Sequence, residues 1–98
     1  MEFKRDEPVK VSFVIPDRPT VRQQMAYYSE ATSVTGRAHL ERLWLGARSL
    51  IMEWNCDLFK HDVDLDSVSD PEIMNTMIWA SIQVRDHLNR MGELPKNS

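Results

Sequence analysis

Little in this chain is arranged for chemistry. It holds a single cysteine, Cys56, and three glycines, set far apart at positions 36, 46 and 92. One cysteine excludes an internal disulfide, and glycines so scattered cannot build a phosphate-cradling loop. The longest uncharged run with a helical pattern, residues 73–84, is too short to span a bilayer, so no membrane is expected. Lys and Arg never cluster with aromatic residues. The net charge is −3, with seven acids between Glu53 and Glu72 set against Lys60 alone. Such a belt repels phosphate backbones and argues against nucleic acid. The opening Met1-Glu2-Phe3-Lys4-Arg5-Asp6-Glu7 is charged, unlike a secretory leader, which places the expected location in the cytoplasm.

What is present is a stripe. Leu40, Leu43, Trp44, Ala47, Leu50, Ile51 and Trp54 recur at the spacing of one helix face, with Arg42, Ser49 and Glu53 opposite. It predicts a helix from about Arg37 that fades near Asn55. Gly46 falls on its outer side, at a cost of about 1 kcal/mol relative to alanine, and either a close helix crossing or simple drift accounts for it. A second helix is expected from Thr20, because Thr20-Val21-Arg22-Gln23 fits a capping box. On it Val21, Met25, Tyr28 and Thr32 share a side and Tyr27 points away. Residues 33–36 read as a turn. The last helix has the clearest start, with Asp70 as N-cap, Pro71 at the first position and Glu72 beside the positive end of the dipole. Its inner line is Ile73, Met77, Ala80, Val84, Leu88 and Met91, with Gly92 and then Pro95 as stop signals.

The remaining elements are an arm and a strand. Residues 1–8 are charged and aperiodic and read as a flexible arm. Val9, Val11, Phe13 and Ile15 then alternate with Lys10 and Ser12, the period of a strand with one buried face. Its candidate mate is the stretch around Leu58, Phe59, Val63 and Leu65; failing that, a strand from another copy would pair with it, giving a homo-oligomer. The expected fold is mainly α: a three-helix domain with an N-terminal β-strand or short hairpin, in which residues 9–98 form a single small domain.

Three candidate sites resolve into ordinary structure. Asp62-Val63-Asp64-Leu65-Asp66 resembles the start of a calcium loop, but the sixth and twelfth places hold Ser67 and Ile73 where Gly and Glu are required. Cys56 and His61 supply two zinc ligands, with no second pair to complete the usual four. The serines lie in no nucleophile elbow, and a chain of 98 residues leaves little room for a cleft of its own. No catalytic, metal or cofactor residue is therefore assigned, and no enzyme activity is expected. What stands out is apolar surface. Trp79 and Ile82 on the last helix, with Leu45 and Met52 one heptad apart on the central one, lie off the inner faces. They are the expected contacts for a protein partner.

Three stretches carry a family resemblance. They are Val11-Ser12-Phe13-Val14-Ile15-Pro16-Asp17-Arg18 running into Thr20-Val21-Arg22-Gln23-Gln24, then Leu43-Trp44-Leu45-Gly46-Ala47-Arg48 with Trp54, and last Ile78-Trp79-Ala80 with Leu94-Pro95-Lys96-Asn97. In that order they resemble small tail assembly chaperones of long-tailed bacteriophages. The resemblance implies a small helical protein that binds the tape measure protein, keeps it soluble and helps recruit tail tube subunits in the host cytoplasm. It brings no residue-level motif. Two other classes fit the same surface: a small phage-type inhibitor of a host or defence protein, its acidic belt mimicking nucleic acid, and a structural subunit of the particle. Purified virions separate them, since only a structural subunit is retained at fixed stoichiometry.

Overall fold

The computed structural model describes residues 1–32 and 39–92. It is a mainly α, three-helix domain with a β-sheet built on its N-terminal hairpin. The order is β1 (Glu2–Arg5), β2 (Val11–Val14), α1 (Val21–Ala31), α2 (His39–Leu50), β3 (Glu53–Cys56), a 3-10 turn (Leu65–Ser67) and α3 (Pro71–Gly92). The strands form one antiparallel sheet in the order β1-β2-β3.

Residues 2–5 are thus a strand, where an arm was expected. Their charge concealed a period of two: Phe3 and Arg5 turn inward, while Glu2 and Lys4 face solvent. The strand expected over residues 9–15 is shorter, Val11–Val14, because the chain still bends at Val9, but its alternation holds, with Val11, Phe13 and Ile15 buried. Its mates differ from the expected ones. Phe13 lies opposite Phe3 on one side and Trp54 on the other. Because β2 is central, the unpaired edge that motivated a homo-oligomer through this strand is not there.

Helix α2 ends sooner than its stripe. Ile51 N–H reaches back to Arg48 O at 3.2 Å, and Met52 N–H already donates to Val14 O at 2.8 Å. The chain has turned from helix into sheet, and Trp54 belongs to β3. The helical spacing merely ran on by coincidence into a segment whose alternate residues, Trp54 and Cys56, are the half-buried ones.

The core follows from these placements. Phe3, Phe13 and Trp54 form a row across the sheet with centroids 5.1 and 5.8 Å apart, and Trp79 from α3 meets Phe13 edge-on at 5.6 Å. Trp44 meets Trp54 at 5.6 Å and Phe59 at 6.2 Å, while Trp54 Nε1–H donates to Phe59 O at 3.0 Å. Phe59 thereby enters the core from a loop. The inner line of α3 lies as expected: Ile73, Met77, Ala80, Val84 and Leu88 are buried, and Met91 packs against them half-buried. Asp70 caps this helix, its carboxylate accepting Glu72 N–H at 2.9 Å.

Helix α1 has its predicted capping box, Thr20 Oγ1 accepting Gln23 N–H at 3.1 Å and Gln23 Oε1 accepting Thr20 N–H at 2.8 Å. Its faces are the reverse of those expected. Tyr27 is buried, whereas Val21, Met25 and Tyr28 are exposed. The reason lies on α2. A Cβ built on Gly46 would stand 3.0 Å from Tyr27 O and 3.3 Å from Ala31 Cβ. The two helices therefore meet at Gly46, on a buried face and not the outer one, and residues facing it are the ones covered. Burial pushes the Tyr27 phenol above its ordinary pKa. The turn expected at residues 33–36, the first residues of the predicted α2 and Pro95 lie outside the described residues.

Candidate functional site

Of the four residues expected to meet a partner, two are half-buried and two are exposed. Trp79 is half-buried, packed on Phe13, with the Arg5 guanidinium 4.9 Å above its ring. Arg5 is fixed there by an Nη2–H bond to the buried Thr76 Oγ1 at 3.1 Å. A partner anchor was expected because the inner line of α3 looked complete without Trp79. In the fold, the sheet covers a second side of that helix. Leu45 is likewise half-buried against the core. Met52 and Ile82 are exposed, Met52 in the link between α2 and β3.

The motifs weighed for metal chemistry have local structural duties. Asp64 accepts Asp66 N–H at 3.1 Å and so caps the 3-10 turn. Cys56 is half-buried on β3, opposite Val11. Among the described residues, no three of His, Cys, Asp and Glu converge to hold an ion. Ser81 Oγ–H is committed to Met77 O at 2.7 Å inside α3. His87, also buried, has Nε2 2.9 Å from Asp17 O, so the ring N–H is placed to donate to that carbonyl. Asp17 itself pairs with the Met1 ammonium, which holds its carboxyl below the ordinary aspartate range, although the side chain is exposed. Among the described residues no helix is long and apolar enough to cross a membrane.

Two hollows on the surface differ in kind. One, of about 610 Å³, lies over the sheet, where Lys4, Lys10 and Lys60 alternate with Glu2, Asp6 and Asp57. Its charges balance, so it selects no partner by sign. The other, of about 470 Å³, opens between the first turns of α2 and α3 and the 3-10 turn. Its walls are Leu40, Trp44, Leu65, Val68, Met74 and Ile78, with Ile73 and Met77 behind. Leu40 and Met74 remain largely exposed despite their size. Its lining acids are Glu41 and Asp70.

This cleft was legible only in part. Leu40 was assigned to the core stripe, but it lies a full turn before Trp44, beyond the point where the core ends. Met74, Ile78 and Ile82 recur every fourth residue on α3 and form a second apolar line beside the buried one. Ile82, expected at a partner surface, continues this line away from the cleft. Compared with protein-family models, curated proteins and solved structures, the chain matches none.

Proposed function

We propose that this domain is a non-enzymatic protein binder, a small phage tail assembly chaperone that holds the tape measure protein and helps recruit tail tube subunits. The observation that carries the binding role is the apolar cleft, where Leu40 and Met74 stay in contact with water although a core lies directly behind them. Apolar surface gathered in a concave place, and not scattered singly, is what a partner can desolvate with profit to both. The tail-chaperone assignment rests on the resemblance of the three stretches given above. Host cytoplasm, the place of tail assembly, is the corresponding location.

The test is co-expression with a tape measure protein of a long-tailed phage. The wild-type chain should bring the client into the soluble fraction and co-purify with it. Leu40→Gln combined with Met74→Gln should release the client while leaving the domain folded, since both side chains are already exposed. A client equally insoluble with and without the chain would overturn the chaperone reading.

A further inference from the structure

We infer that the cleft between α2 and α3 receives an amphipathic helix of a protein partner, with Lys or Arg flanking its apolar stripe. The inference rests on the binding role proposed above and names the chemistry of the partner.

The helical form follows from what the cleft walls cannot offer. Beyond their first turns, the backbone groups of α2 and α3 are spent within those helices. At the remaining wall Ser67 N–H goes to Asp64 O at 3.0 Å, Asp66 N–H to Asp64 Oδ1 at 3.1 Å, and Ile73 N–H to Asp70 O at 3.0 Å. The extended backbone that lines the cleft is only residues 68–70, so an extended segment entering here would find at most a very short ladder and would bury most of its own N–H and C=O groups unpaired, which is costly. A helix arrives with those groups already paired and presents only side chains. The open sheet edges, β1 and β3, belong to the other hollow and not to this one. The receiving surface also has the right repeat, because Met74, Ile78 and Ile82 run along α3 as a ridge continuing from the cleft.

The charge follows from the rim. Among the described residues, the ionisable side chains lining the cleft are Glu41 and Asp70, both acids. Asp66 stands on the 3-10 turn that forms one wall, and Asp64 precedes it. Residues 57–72 hold six acids against one lysine. An acidic or phosphorylated segment would meet repulsion at each of these, whereas a basic flank is drawn in and oriented.

A displayed library of helices decides this, with a constant Leu stripe and fully randomised flanking positions, selected on the intact chain. The recovered sequences should be enriched in Lys and Arg at the flanks, and their binding should weaken as salt is raised. Leu40→Gln with Met74→Gln should abolish binding. Glu41→Gln with Asp66→Asn, which keeps the apolar lining, should weaken it by about tenfold, as expected for a few exposed charge pairs. Recovery of acidic or neutral flanks, of proline-broken extended sequences, of binders indifferent to both double variants, or of nothing would each overturn the inference. The two readings fail separately. Basic helices captured without any effect on the tape measure protein would sink the chaperone role alone. A client held through Leu40 and Met74 but with acidic flanks preferred in the library would sink this inference and leave the chaperone role standing.

Discussion

Helices α3 and α1 belong to one small domain, yet they are held in it by different means. Along α3, Ile73, Thr76, Met77, Ala80, Ser81, Val84, His87 and Leu88 are all buried, and Trp79 is half-covered by the sheet. Along α1, Tyr27 alone is buried. Large side chains from β1 and β2 pack on α3, whereas α1 is attached through one buried side chain, Tyr27, and a close backbone approach at Gly46. Side-chain burial stabilises in proportion to the apolar area removed from water, about 25 cal/mol per Å². A backbone approach contributes little area and depends on the absence of an atom. The two halves should therefore fail differently: the α3 side when something is removed, the α1 side when something is added.

Removal should act most strongly at Trp44, which is 2 % exposed and joins α2 to the aromatic row of the sheet. Trp44→Ala should cost about 3–5 kcal/mol, read as a lowered urea midpoint at unchanged slope. An unchanged midpoint would mean that the aromatic cluster is not the core. Next in size is Trp79→Ala, which deletes an edge-on contact with Phe13 and leaves the Arg5 guanidinium without its ring. About 2–3 kcal/mol is expected, below the range of a fully buried aromatic because the side chain is only half covered. A melt that does not move would return Trp79 to the surface and reopen it as a partner anchor.

Addition should act at Gly46. Valine there would press a branched side chain against Tyr27 O, a backbone atom that cannot swing aside. The gain in helix propensity over glycine is a few tenths of a kcal/mol and the overpacking cost about 1–3 kcal/mol, so destabilisation wins. Loss of the α1 amides' hydrogen-exchange protection before that of α3 would locate the damage. Protection lost equally in both helices would show that α1 and α3 are one cooperative unit and would dissolve the contrast.

The same contrast explains what could be read from the residues. In α3 the buried line, the Asp70 cap and the Pro71 start were all visible, because a long helix surrounded by side chains must write its burial into its spacing. In α1 the capping box was visible, since it involves four consecutive residues. The buried face was not, since a glycine on another helix selects it. Strand β1 was hidden by Glu2, Lys4 and Arg5, whose charges suggested solvent although Arg5 reaches inward to Thr76 and Trp79. The cleft was hidden for a related reason: Leu40 obeys the core period of α2 where the core has already ended, and Met74 lies on a second apolar line beside the buried line of α3.

The smallest expected effect, at Met25, tests the contrast most cleanly when the same substitution at Met77 is set beside it. Met25 on α1 is 66 % exposed and Met77 on α3 is 8 % exposed. Methionine and glutamine have similar length and nearly equal helix propensity, so Met→Gln changes polarity with little change of backbone preference. At Met77 the amide would enter a packed core where its donors and acceptor have no assigned partners, at a cost of several kcal/mol. At Met25 the amide would meet water, and the midpoint should stay within about 0.5 kcal/mol of wild type. Periodicity alone would have forecast the reverse for α1, since Val21, Met25 and Tyr28 form its most apolar line. A marked loss of stability in Met25→Gln would therefore show that something covers α1 in solution, either another copy or a partner, and that the helix is held by more than Gly46. A silent Met25→Gln beside a damaging Met77→Gln would establish that the apolar line of α1 is surface and that the domain is stable with it uncovered.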